Sequence, residues 1–360
     1  MSGIHHFVPV LHRGDAVGRH TLRLREATRA RGFRSEIFVD TVDDDTAGET
    51  LPVLSYPESA QPSDVVVYQF ATASAMAPWL AGRSETLVLN YHNVTPPELM
   101  APWDNHLALG QLRAQGDLRL LGPRTALAVA DSRYNEAHLA ASGFTTTAVI
   151  SPSAALPVAS ATTAPPRAGS RPHGARWLAI GRVSPNKGLE STIAALAVAR
   201  AHGDPAATLL LVGKPATDSY DAALHRYVAE LGLAAAVQFA GHASDATVAT
   251  AYAGADVLVV TSEHEGFCVP VVEAMGAGLP VVAFDQGAVP EVLGGTGVLV
   301  PDKDPYALAA AIAALLRDTP RRDAVIEAGR RRLAALALDS AADRFVDLLV
   351  PLAAPAPATP

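Results

Sequence analysis

Short apolar runs alternate along the chain with longer segments whose apolar residues recur at helical spacing. A run with no polar alternation suits a strand buried on both faces, and the segments between such runs supply crossover helices. This rhythm predicts parallel sheets covered by helices. In the first half, strands are predicted at 4–10, 35–39, 64–70, 86–90, 126–130 and 146–150. The rhythm breaks at 151–174, where Ser, Pro and Ala dominate, as in Ser151-Pro152-Ser153 and Ala164-Pro165-Pro166, so regular structure is not expected there. It restarts with strands predicted at 177–180, 208–212, 237–239, 257–260, 281–284 and 298–300. After Asp304 the pattern is helical, and the chain ends in an Ala/Pro tail.

This organisation predicts an N-terminal Rossmann-like domain over 1–150, a linker over 151–174 and a C-terminal Rossmann-like domain over 175–335. A helix over 336–352 is expected to return to the first domain, followed by a disordered tail over 353–360. The fold class is α/β, with two doubly wound parallel sheets facing a cleft. Ligands in such folds sit beyond the carboxyl ends of the strands. A chain of 360 residues also exceeds what one core ordinarily supports.

Composition narrows the function classes. Hydrophobic residues make up 49% and charged ones 18%, too apolar for general disorder. A net charge of −8 argues against a nucleic-acid partner, which requires a basic surface. The single cysteine, Cys268, offers neither an intrachain disulfide nor metal-ligand spacing. The start of the chain lacks the basic residues and cleavage site of a signal peptide, and no apolar run approaches the roughly 20 residues of a membrane span. A cytoplasmic protein is expected.

The strongest chemical signal runs from Ser262 through Glu263, Glu265 and Glu273 to Gly276, directly after a predicted strand. A helix predicted from Val269 leaves the backbone N–H groups of Gly266, Phe267 and Cys268 at its start, suited to hydroxyls or phosphate oxygens. Glu265 precedes that helix and Glu273 lies about one turn inside it, so both can face one ligand. Singly, each is an ordinary acid near a helix start, where the dipole favours negative charge. Together, at this offset and around a glycine, they point to one carboxylate for a sugar and one for a ribose. A second signal, Gly181-Arg182-Val183-Ser184-Pro185-Asn186-Lys187-Gly188, follows the first strand of the second half. Arg182 offers a planar fork and Lys187 a mobile point charge, a pair able to neutralise a diphosphate.

These segments resemble the retaining GT-B glycosyltransferases of family 4, the glycosyl transferases group 1. The likeness rests on G-R-x-x-x-x-K-G at 181–188, E-G-F-x-x-x-x-x-E at 265–273 and the Gly278-Leu279-Pro280-Val281-Val282 run, and it spans nearly the whole chain. The resemblance implies that Arg182 and Lys187 contact a donor diphosphate, Glu265 the donor sugar and Glu273 the ribose. It places His92, in Tyr91-His92-Asn93, on the acceptor and donor-sugar side. It matches Gly14 and Asp15 to a donor-binding glycine pair, with Asp15 replacing the second glycine. Gly181, Gly213, His242, Ala243, Gly266, Phe267, Cys268 and Val269 complete the expected donor pocket. Asp131-Ser132 reads as a helix cap, with Arg133 and Tyr134 following.

The expected reaction is transfer of a hexose such as mannose, glucose or N-acetylglucosamine from a UDP- or GDP-sugar, with retention. The acceptor hydroxyl would belong to a glycan, a lipid-linked molecule or a small molecule. The donor is a co-substrate and no cofactor is required. No Asp-x-Asp pair accompanies the donor loop, so no metal site is expected. The segment 96–121, with Leu99, Met100 and Trp103 near Arg113 and Arg119, suits core packing or peripheral contact with the inner membrane face. Competing readings are a nucleotide-sugar epimerase on the same fold and a non-catalytic nucleotide-sugar-binding protein. An NAD-dependent dehydrogenase, suggested by Asp40 at the end of the second strand, lacks the G-x-G-x-x-G spacing.

Overall fold

A computed structural model describes residues 2–153 and 174–353, so the expected linker lies largely, and the expected tail almost wholly, outside the described residues. The chain divides into two compact units, Met1–Pro97 with Leu109–Ala155 and Ala337–Pro360, and Glu98–Ala108 with Leu156–Leu336.

The first unit is built on β1 (Ile4–Val10), α1 (Ala16–Ala30), β2 (Ile37–Thr41), β3 (Leu51–Pro52), α2 (Tyr56–Ser59), β4 (Val65–Phe70), α3 (Met76–Ala81) and β5 (Thr86–Tyr91). Next in the chain come α4 (Pro97–Met100) and α5 (Asn105–Leu121), then β6 (Thr125–Ala130), α6 (Arg133–Ala141) and β7 (Thr147–Val149). The seven strands are all parallel, in the order β3-β2-β1-β4-β5-β6-β7. Val66, Tyr68 and Phe70 pack on one face with Phe7, Leu89 and Tyr91, while Val65 and Val67 pack on the other with Ile4, Val88 and Val129. Both faces are dry, which is why the strands read as unbroken apolar runs.

β2 runs two residues later than the expected 35–39, because its ladder with β1 pairs His6 with Ile37 and continues to Val10 opposite Thr41. β3 was not anticipated. Two residues are too short for a periodic signal, and Pro52, lacking an N–H, suits a sheet edge.

The second unit restarts with β8 (Arg176–Ile180), α7 (Leu189–His202), β9 (Thr208–Val212), α8 (Asp218–Glu230), β10 (Val237–Phe239), α9 (Asp245–Gly254) and β11 (Val257–Val260). It continues with α10 (Val269–Ala277), β12 (Val281–Phe284), α11 (Val289–Leu293), β13 (Val298–Val300), α12 (Pro305–Arg317) and α13 (Thr319–Leu336). Its six parallel strands follow the order β10-β9-β8-β11-β12-β13. Trp177, Leu209, Leu211 and Val259 face α7 and α12, and the alternate residues Leu178, Leu258 and Val281 are equally buried.

The last helix, α14 (Ala341–Ala353), lies in the first unit against α1. Phe345 and Leu349, one turn apart, enter the core beside Val65 and Val67. Among the described residues no helix is long and apolar enough to cross a membrane.

Candidate active site

The second sheet reverses its strand order between β8 and β11, which are direct neighbours with Leu178 beside Leu258. Their two following loops therefore emerge side by side at the carboxyl ends. One carries Gly181 to Gly188 and the other Thr261 to Cys268.

Local sequence dictates how these loops mesh. Pro185–Lys187 make a single 3-10 turn, and Gly188 adopts a left-handed φ of 55° before α7. A Cβ on Gly188 would stand 2.5 Å from Thr261 O, so the approach of the loops needs a glycine. Glu263 N–H donates to Asn186 O at 2.8 Å, and Asn186 Nδ2 donates to His264 O at 3.3 Å. Thr261 Oγ1 lies 2.9 Å from Gly188 O.

At the centre Lys187 Nζ donates to Glu265 Oε1 at 2.5 Å, and Ser262 Oγ donates to the same oxygen at 2.6 Å. Burial lowers the pKa of the Lys187 ammonium, but the Glu265 carboxylate outweighs it and the net shift is upward. Gly287 secures Glu265 from behind: its φ is 59°, a Cβ there would meet Glu265 O at 2.8 Å, and the neighbouring Ala288 N–H donates to that oxygen at 3.0 Å. Cys268, with φ 76°, caps α10 in a left-handed conformation uncommon for a side-chain-bearing residue. Burial and the nearby Glu265 push its thiol pKa upward, which keeps it protonated and a poor nucleophile.

Gly181, Arg182, Lys187, Ser262, Glu265 and Cys268 line a cavity of about 20 Å³, room for roughly one water. Arg182 is exposed, whereas Phe267 is buried and Gly266 and Val269 are half-buried. Glu273 is buried on α10 and accepts from Tyr252 Oη at 2.7 Å. The loops after β9 and β10 join the same edge, since Gly213 N–H donates to Gly241 O at 2.9 Å and a Cβ on Gly213 would collide with Gly181 O. Next to Gly241, His242 is exposed and Ala243 half-buried, and Ser244 caps α9.

In the first unit the strand order reverses between β1 and β4. The turn after β1 is closed by its own side chain: Asp15 caps α1 and accepts Gly18 N–H at 2.6 Å. A carboxylate therefore occupies the helix start that was expected to approach a donor, and Gly14 O accepts from Arg19. The glycine pressed against backbone is Gly18, whose Cβ would stand 1.8 Å from His12 O.

His92, after β5, is held from both sides. Its Nδ1 lies 2.9 Å from Asp131 Oδ2 and its Nε2 2.8 Å from Gln69 Oε1. Asp131 thus differs from the expected cap: Ser132 alone caps α6, accepting Asn135 N–H at 3.1 Å, and Asp131 serves His92. Asp40 bonds the Ser74 hydroxyl. Sequence reasoning gave no role to Gln69, Tyr252, Ser262 or Gly287, and it read Asp131 as part of a helix cap. Only Ser262 carried a signal, its place inside the carboxylate segment.

Comparison with known proteins agrees with this geometry. Residues 164–332 match the family described as glycosyl transferases group 1. The MMP alpha-(1->4)-mannosyltransferase of Mycolicibacterium hassiacum is 36% identical over 152 residues, 41% of this chain and 36% of that protein. A D-inositol 3-phosphate glycosyltransferase of Thermomonospora curvata is 33% identical over 180 residues, 48% of this chain and 41% of that protein. The matched stretches thus span only about two fifths of these relatives' length. Among solved structures, sucrose-phosphate synthase from Thermosynechococcus elongatus superimposes with a TM-score of 0.76 at 21% identity, covering 97% of this chain and 99% of that one. WaaG, a glycosyltransferase involved in lipopolysaccharide biosynthesis, gives 0.74 at 16% identity, covering 96% and 99%. Anabaena HepE in complex with UDP gives 0.76 at 20% identity, covering 97% and 99%. The fold is GT-B.

Proposed function

We propose that this protein is a retaining glycosyltransferase that moves a hexose from a UDP- or GDP-sugar to a hydroxyl acceptor on a glycan, a lipid-linked molecule or a small molecule. The observation that carries the reading is the convergence of Lys187, Ser262 and Glu265 at the switch point of the second sheet. A diphosphate laid across the mouth of that cavity meets the Lys187 ammonium and the exposed Arg182 guanidinium. In this reading Glu265 takes hydroxyls of the transferred sugar and Glu273 those of the ribose. Anabaena HepE, similar in fold, is known in complex with UDP and with UDP-glucose, which supports such a donor.

No carboxylate is assigned as nucleophile. Transfer with retention then has the acceptor approach from the leaving-group side, with a phosphate oxygen taking its proton. The protein contributes placement and stabilisation of departing charge by Arg182 and Lys187. The test is a panel of UDP- and GDP-hexoses, with and without acceptors and in excess chelator, read by nucleotide release and by the anomeric configuration of the product. Acceptor-dependent release with retention is expected. Isomerised donor in the absence of acceptor, inverted product, or dependence on added magnesium or manganese would each overturn the corresponding part.

Peripheral membrane contact belongs to the same reading. Leu109, Leu112 and Leu120 are exposed on α5, at spacings that place them on one face with Arg113 and Arg119. Such a face suits an anionic bilayer surface.

A further inference from the structure

A chain of buried side chains connects Ser153 to His92. His20 Nδ1 lies 3.0 Å from Ser153 N, Asn90 Nδ2 lies 3.0 Å from His20 Nε2 and 2.8 Å from Gln69 Oε1, and Gln69 Oε1 lies 2.8 Å from His92 Nε2. We infer that His20, Asn90 and Gln69 are positioning residues that place the ring proton of His92 on Nδ1 and leave Nε2 as an acceptor. The consequence for turnover rests on the proposed role of His92; the proton placement itself does not.

The starting point is the Ser153 N–H, because a main-chain donor can neither turn round nor lose its proton. It donates to His20 Nδ1, so that nitrogen presents its lone pair, and the Ser153 hydroxyl, whose Oγ lies 2.9 Å from the same nitrogen, then acts as a second donor to it. Burial, then the neighbouring His92, His6 and Arg23, holds the His20 ring well below the ordinary histidine range, so the ring is neutral. Its one proton is therefore on Nε2. That N–H faces the Asn90 amide and needs an oxygen there.

An amide turned by half a rotation keeps its shape and exchanges donor for acceptor. With Asn90 Oδ1 toward His20, the Gln69 atom beside it must be the nitrogen, which turns Gln69 as well. Gln69 Nε2 then donates to Asn90 Oδ1 and to His92 Nε2, and Gln69 Oε1 faces His6 Nδ1, 3.4 Å from the Gln69 amide. His6, whose pKa burial lowers to about 3, becomes the Nδ1–H form. Its buried and unpartnered Nε2 is then a bare nitrogen, while the Asn90 amide nitrogen moves to the buried position of the present Oδ1, which has no partner either, so the turn of the network rests on the Ser153 N–H and on Asp131. At the far end Asp131 takes the His92 Nδ1–H. The opposite arrangement would set His20 Nδ1–H against the Ser153 N–H and would require protons on both nitrogens of His92.

With one nitrogen bound to Asp131 and the other to Gln69, His92 is a fixed ring and not a proton acceptor for the reaction. This agrees with a transfer in which the leaving phosphate takes the proton.

The test is long-range proton–nitrogen correlation on the full chain labelled with ¹⁵N-histidine, at neutral pH and without donor. His20→Gln and His92→Gln identify the two rings by their missing signals. The expected spectrum shows His92 protonated at Nδ1 only and His20 protonated at Nε2 only. A proton on His92 Nε2, or on His20 Nδ1, overturns the inference. Gln69→Glu, whose carboxylate can only accept, is expected to bring a proton onto His92 Nε2 and move that signal into the protonated region, whereas a change confined to packing would leave it in place. An unmoved signal counts against the relay. Turnover of His92→Ala is read separately: unchanged acceptor-dependent release alongside the expected tautomers would remove His92 from the transfer reading while the relay stands.

Discussion

Lys187 and Glu265 stand 78 positions apart in the chain, and the ammonium of one donates to the carboxylate of the other at 2.5 Å. The contact exists because β8 and β11 are adjacent in the sheet. Lys187→Ala removes the cation proposed to stabilise a departing diphosphate. Turnover is expected to fall at least about tenfold, roughly 1.4 kcal/mol in the barrier. Steady-state nucleotide release measures this, and a near-normal rate would take Lys187 out of the site.

The same pair has a pH signature. Burial acts to lower the Lys187 pKa, but Glu265 carries it above the ordinary 10.5. A folded-state value above the unfolded one means that the pair contributes stability in full below the unfolded pKa and loses it as pH rises through the folded value. Lys187→Met is therefore expected to melt below the parent at neutral pH, with the gap closing above about pH 10.4. Melting curves across that range check it; a gap independent of pH would mean that the charge is not its source.

Gly188→Ala forces a left-handed residue and a methyl group against Thr261 O, 2.5 Å from the new carbon. The backbone term alone is about 1–2 kcal/mol. Gly32→Ala is the control, since its φ is 85° with nothing within 4 Å. Chemical denaturation should show Gly188→Ala as the more costly of the two, with turnover lost only there. Equal effects would argue against close meshing of the two loops.

Tyr252→Phe deletes a 2.7 Å donor to Glu273. Losing a hydrogen bond to a buried carboxylate costs about 1–3 kcal/mol. If Glu273 holds the ribose, the donor KM should rise about tenfold with kcat little changed. A fall in kcat at constant KM would point instead to a role at the reacting centre.

For α14, Phe345→Ala is expected to destabilise by about 3–5 kcal/mol, as for a large aromatic removed from a core. Asp347→Ala breaks only the exposed pair with Arg31 and should cost under about 1 kcal/mol. Urea unfolding separates the two, and comparable losses would mean that charge, not burial, anchors the helix.

If α5 meets a bilayer, replacing Leu109, Leu112 and Leu120 together by Ser should abolish sedimentation with anionic vesicles and leave turnover on a soluble acceptor intact. Sedimentation equal to that of the parent would dismiss this face as the contact.

Strand positions were legible because parallel strands buried on both faces leave unbroken apolar runs; five of the six in the second sheet match their expected bounds to the residue, at 208–212, 237–239, 257–260, 281–284 and 298–300. The glutamates and the Lys187 turn were legible because both follow such runs directly and sit around glycines. The two-residue β3 was illegible, being shorter than any period.

What the sequence determined by itself was therefore the element order and the local chemistry of each loop: which strand ends carry cations, carboxylates and glycines. It could not determine which loops meet, because parallel strand order depends on crossover packing between distant segments. Only the tertiary structure put the loop of β8 beside that of β11, joining Lys187 to Glu265. Only it gave Asp131 to His92 instead of to a helix start, and closed the first turn of α1 with Asp15. Those side chains are polar at both levels of description, and their partners are chosen by distances that composition and spacing do not contain.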